Sequence, residues 1–152
     1  VVAYKTREDD IRPALQAPIY PAVDSRHHQS SHKTFAEGFL LTKRMLDWYY
    51  DHYVPNLEDR LQPDCSPLLA KDSLAGLPPT LVYTAGFDVL RDEGHDYAER
   101  LRADGVKTRY KCFDSMMHGF VLVTGACTGA RIASERIARD IGDALEGTLA
   151  FV

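Results

Sequence analysis

The most constraining stretch of the chain is Thr80-Leu81-Val82-Tyr83-Thr84-Ala85, held between Pro78-Pro79 and Gly86. It is apolar at nearly every position rather than at alternate ones. A strand that reads this way is buried on both faces, and that happens in parallel sheets sandwiched by helices. The residues that follow supply such a setting. Val89–Asp104 carries Leu90, Tyr97, Ala98 and Leu101 on one helical stripe, with Gly105 as its stop. Thr108–Phe113 alternates and predicts a half-exposed strand near a sheet edge. Asp114–Gly119 reads as a loop, and Ala130–Leu145 as a helix with Ile137, Ile141, Ala144 and Leu145 on one face. Strands separated by helices of this length predict an α/β fold with a mostly parallel sheet flanked by helices.

The first half is less regular. Leu15–Pro21 predicts a short strand, and Ala22–Thr34, with His27, His28 and His32 among serines, a loop. Leu41, Met45, Trp48 and Tyr49 recur at helical spacing, so a helix is expected over Thr42–His52, closed by Pro55. Asn56–Leu77 reads as loop. Val1–Asp10 reads as the end of a helix that lacks a cap before it, as though it continued something larger.

A chain of 152 residues has enough material for one core. Eighteen basic against twenty-two acidic side chains, a net charge of −4, argue against a nucleic-acid binder. The longest apolar runs, Phe120–Val123 and Leu81–Tyr83, are far short of the ~20 residues that cross a bilayer. No secretory signal pattern is seen. Cys65, Cys112 and Cys127 form neither a CxxC pair nor a zinc pattern, so reduced thiols in a cytoplasmic protein are expected, with no metal and no cofactor.

In parallel sheets, ligands gather at the carboxyl ends of the strands. Asp88 follows the buried strand and His118 follows the next one, in Ser115-Met116-Met117-His118-Gly119-Phe120. A right-handed crossover makes these two strand ends neighbours. A buried carboxylate on the Nδ1 proton of an imidazole is the acid–base half of a nucleophilic triad. Alone, Asp88 reads equally well as a helix cap and His118 as an ordinary loop histidine; the joint pattern is more specific.

With these residues in place, the chain resembles the carboxyl-terminal half of the hormone-sensitive-lipase-like esterases of the α/β-hydrolase fold. The matching stretches are Ile19–Asp24, Cys65–Ala70, Leu77–Thr80, Ala85–Gly94, Tyr97–Leu101 and His118-Gly119-Phe120. The resemblance implies that Asp88 is the triad acid and His118 its base, with Val89 standing where the family usually has proline. It implies one partial hydrolase domain over residues 1–152, with the amino-terminal, nucleophile-bearing part absent. None of Ser25, Ser30, Ser31, Ser66, Ser73, Ser115 and Ser134 lies in the family's Gly-x-Ser-x-Gly elbow, and no His-Gly-Gly oxyanion motif occurs. Both are expected upstream of residue 1.

The leading expectation is therefore a carboxylic-ester hydrolase acting on small-molecule acyl esters. Its nucleophile would come from a companion amino-terminal segment, and this chain alone would be inactive. The alternative is a catalytically inactive, truncated hydrolase domain that self-associates as a homo-oligomer or binds small molecules. Weaker features have plainer readings: His28 and His32, four apart as metal ligands can be, in a solvated loop; the aromatic helix as core or, by the resemblance, as a cap-side lining of the acyl site; Cys112 as a buried sheet residue. Asp92 and Glu93 read first as first-turn acids suited to the helix dipole, and second as residues that help order the Asp88 loop.

Overall fold

The computed structural model describes Ala3 and residues 12–151; the expectation for Val1–Asp10 otherwise lies outside the described residues. The centre is β1 (Thr80–Phe87), which pairs in parallel with β2 (Thr108–Met117) through α4 (Arg91–Ala103). Before them come α1 (Ser31–Thr34), α2 (Lys43–Tyr53), α3 (Leu57–Arg60) and a 3₁₀ turn at Pro67–Leu69. After them come a second 3₁₀ turn, Phe120–Val123, and α5 (Thr128–Leu145). The expected α/β architecture, a parallel sheet flanked by helices, is what forms.

β1 shows why its sequence lacks alternation. Leu81, Tyr83 and Ala85 point to one side, where they meet Ala130, Ala133 and Ile137 of α5 together with Phe120. Val82 points to the other, against Tyr97, Ala98 and Leu101 of α4 and against Leu74, Leu77 and Val106. Period-two geometry sends neighbours to opposite faces, and here both faces are covered. Each fully buried aliphatic side chain contributes about 1.5–3 kcal/mol, so the strand is fixed in depth and direction.

Several expectations are corrected. Leu15–Pro21 does not form a strand. Only Gln16 and Ile19 bridge to Thr80 and Tyr83, in parallel, because Pro18 and Pro21 have no N–H to extend the ladder. The polar loop contains one helical turn, α1, and the Asn56–Leu77 stretch contains α3 and a 3₁₀ turn. The helix expected from Thr42 begins at Lys43, because the Thr42 hydroxyl accepts the Met45 N–H at 3.1 Å as its cap. The loop expected over Asp114–Gly119 is largely strand, since β2 runs on to Met117.

That extension is irregular. Ala85 pairs with Phe113, but Phe87 pairs with Met117, so two steps on β1 face four on β2. The bulge depends on Gly86: a Cβ there would lie 2.1 Å from the Asp114 carbonyl oxygen. Bulges of this kind re-aim side chains beside active sites.

Candidate active site

The bulge brings the next residues of both strands together. His118 Nδ1 lies 2.8 Å from Asp88 Oδ2. Asp88 is fully buried, while about a fifth of the His118 side chain is exposed. The second Asp88 oxygen, Oδ1, accepts the Leu90 N–H at 2.9 Å. Its two oxygens do separate jobs, one on the turn that leads into α4 and one on the imidazole. α4 starts at Arg91, not Val89, so Asp88 closes the turn before the helix rather than occupying its cap. An aspartate anchored through one oxygen presents the other at a fixed point, and a carboxylate so held fixes which ring nitrogen of His118 carries the proton.

Gly119 sets the exit from His118. Its φ of +76° is left-handed, and a Cβ there would also meet Leu40 at 2.8 Å. The turn lets Phe120 drop into the α5 side of the core, where it is almost fully buried. His118 is thus held between a paired strand and a buried anchor two residues later.

His118 lines an open pocket of about 560 Å³. Tyr20, Leu41, Leu46, Tyr49, Tyr50 and Leu90 supply much of its wall, and Cys65 borders it too. The lining is predominantly apolar, as in pockets that take small organic ligands. The aromatic helix, expected as core or as pocket lining, is divided: Leu46 and Tyr50 are buried, while Trp48, Tyr49 and Tyr53 are exposed, and Tyr49 and Tyr53 border the pocket. Burial pushes the Tyr50 phenol up, and the Glu93 charge adds to this, so it stays protonated.

The histidine-rich stretch departs furthest from its expectation. His28 is exposed, but His32 is buried, and its Nε2 lies 2.9 Å from Glu93 Oε2. The approach is off the line of a well-directed hydrogen bond, so the pair is a close polar contact. Glu93 is itself fully buried, and its Oε1 accepts the Val23 and Asp24 N–H groups at 2.6 and 3.2 Å. Burial raises its carboxyl above the usual range, against these hydrogen bonds. Asp92 accepts the Ser31 N–H at 2.8 Å, and the Ser31 hydroxyl donates to the Val89 carbonyl at 2.7 Å. The two acids therefore tie the 23–32 loop to the turn that carries Asp88, the second of their two expected roles. Burial, then the neighbouring His32 and Lys43, lower the His27 imidazole to about 4, against the pull of Asp47.

Sequence reasoning missed Tyr20, whose ring centroid lies 4.4 Å from that of His118. Burial, then the Asp88 charge, push its phenol up. Cys112 is half-buried on β2, and Cys65, Cys112 and Cys127 are all free thiols. Ser31 and Ser66 are engaged with backbone, Ser66 accepting the Ser25 N–H at 3.0 Å. No cluster of three or more metal-ligating side chains occurs among the described residues. No helix among them is long and apolar enough to cross a membrane.

The alpha/beta hydrolase fold profile matches residues 1–122. Carboxylic ester hydrolase LipN of Mycobacterium tuberculosis is 46% identical over 110 residues, covering 72% of this chain and 29% of that protein. Among solved structures, an alpha/beta hydrolase enzyme from the metagenome of Lake Arreo, Spain, is 42% identical with a TM-score of 0.83, covering 90% of this chain and 43% of its own. A thermostable esterase from Pseudomonas putida is 37% identical at the same TM-score, covering 90% and 44%. The chain spans about a third of the length of the curated relatives it matches. These likenesses bear out the resemblance to the hormone-sensitive-lipase-like esterases.

Proposed function

The chain belongs to the alpha/beta hydrolase fold family, and from that premise we propose that the full-length protein is a carboxylic-ester hydrolase in which Asp88 and His118 are the acid and base of a Ser-Asp-His triad. The observation that carries this reading is the 2.8 Å contact between His118 Nδ1 and buried Asp88 at the carboxyl ends of adjacent parallel strands. With Nδ1 engaged, Nε2 is the ring nitrogen left to a side chain that lines the pocket. The substrate class is a small acyl ester, in keeping with the apolar walls.

In the proposed reaction a serine Oγ attacks the ester carbonyl, and its proton passes to His118 Nε2. Asp88 holds the ring and stabilises the imidazolium. Collapse of the tetrahedral species breaks the acyl–oxygen bond, and the departing alkoxide takes the proton from His118. Water then repeats the sequence, giving its proton to His118 and releasing the acid. None of the seven serines of the 152 residues lies in Gly-x-Ser-x-Gly, so the nucleophile and oxyanion donors come from sequence outside them. Residues 1–152 are then one partial hydrolase domain, with a companion amino-terminal segment or a second copy as its partner. Three free thiols fit a cytoplasmic place of work.

The test is hydrolysis of p-nitrophenyl acetate and butyrate by the full-length protein and its His118→Ala variant. Hydrolysis lost by about 10⁴-fold in the variant supports the reading. Full hydrolysis in the variant removes His118 from the mechanism. No hydrolysis, together with self-association in sedimentation, favours an inactive hydrolase domain instead.

A further inference from the structure

We propose that Tyr20 is a positioning residue, whose ring braces the His118 imidazole so that Nδ1 stays on Asp88 while Nε2 faces the pocket. A single hydrogen bond acts as a pivot: it fixes one ring atom and leaves the plane free to swing. A second ring against the imidazole removes that freedom. The Tyr20 ring supplies this contact at a centroid distance of 4.4 Å and an interplanar angle of 50°. The same ring meets Phe120 in a T-shaped contact at 5.6 Å, and Phe120 is the buried anchor that follows His118.

The backbone shows that this placement is imposed. Tyr20 has φ +40°, a left-handed conformation that is uncommon for a bulky residue other than glycine. Such strain persists only where the surroundings over-determine it, and it collects at functional sites. The surroundings here are specific. The Tyr20 N–H donates to the Tyr83 carbonyl at 2.6 Å, and Ile19 bridges to Tyr83, so the central strand fixes the turn. An aromatic side chain that merely filled core would not require a left-handed turn beside the histidine. Tyr20 also lines the same pocket as His118.

The kinetic part of the test rests on the ester-hydrolase reading; the spectroscopic part does not. In full-length protein labelled with ¹⁵N-histidine, the His118 Nδ1–H resonance is assigned through His118→Gln. Its position and sharpness are followed in Tyr20→Phe, which keeps the ring, and Tyr20→Asn, which removes it but tolerates a left-handed backbone. The expected result is an unchanged resonance in Tyr20→Phe, with kcat within about two-fold. In Tyr20→Asn the resonance broadens or vanishes and kcat falls about three- to ten-fold, with KM nearly unchanged. An unaltered resonance and kcat in Tyr20→Asn overturn the proposal, and so does equal damage in Tyr20→Phe, which would assign the effect to the hydroxyl. Should Tyr20→Asn not fold, the unsubstituted protein decides: ring–ring cross-relaxation between Tyr20 and His118 with a slowly exchanging Nδ1–H supports the brace, and its absence overturns it. If no ester is hydrolysed yet the resonance responds as expected, the esterase reading fails and the brace stands.

Discussion

Replacing Gly86 by alanine tests whether the β2 bulge assembles the site. The added Cβ would lie 2.1, 2.6 and 2.7 Å from the oxygen, carbonyl carbon and Cα of Asp114. These are backbone atoms on a paired strand, so no side chain can swing aside. Restoring ordinary contact, about 3.4 Å or more, parts the strands by roughly 1.3 Å at this point. Overpacking of this kind costs about 1–3 kcal/mol, and a rigid backbone neighbour places it at the upper end. The site suffers more than the stability. Adding that displacement to the 2.8 Å His118–Asp88 contact gives about 4 Å, beyond hydrogen-bond reach. The assay pairs chemical denaturation of the full-length protein with the His118 Nδ1–H resonance. The expected outcome is a loss of about 3 kcal/mol and disappearance of that resonance. A variant with unchanged midpoint and an intact resonance would refute the claim that the bulge positions His118.

Three further outcomes follow. Asp88→Asn should lower kcat for ester hydrolysis by about 10⁴-fold, measured on p-nitrophenyl acetate, because the amide can hold the imidazole in the wrong tautomer. His27, lowered to about 4 in the fold against an ordinary 6.5, binds its proton more readily when unfolded. Its contribution is therefore fully present above pH 6.5 and is lost as pH falls toward 4, by about 3 kcal/mol in all. His27→Phe should flatten that part of the profile of denaturation midpoint against pH. Gly142→Ala meets no atom within 4 Å on α5 and should stabilise by somewhat under about 1 kcal/mol, read as a raised denaturation midpoint.

The parts of this molecule that were legible in sequence are those set by local burial. Leu81, Val82 and Tyr83 announce a strand covered on both faces, and α4 and α5 announce the helices that cover it. Asp88 and His118 were legible as a pair because the β1–α4–β2 unit makes their strand ends neighbours. What was hidden depends on partners far along the chain. His32 looks like a solvated loop residue until Glu93, on a different element, is placed beside it. The end of β2 looks like loop because Asp114 and Ser115 interrupt the alternation, and only the Gly86 backbone on the opposite strand explains why pairing resumes. Tyr20 carries no local mark of its role: proline after it suggests the end of a strand, and neither its left-handed φ nor its contact with His118 follows from composition.

Activation of a serine by Asp88 and His118 is read out by the intact mass of the full-length protein after exposure to a fluorophosphonate, alongside its His118→Ala variant. One adduct is expected, on a serine outside these 152 residues, formed orders of magnitude more slowly in the variant. Labelling at equal rates in both proteins, or no labelling of a folded full-length protein, would contradict that activation.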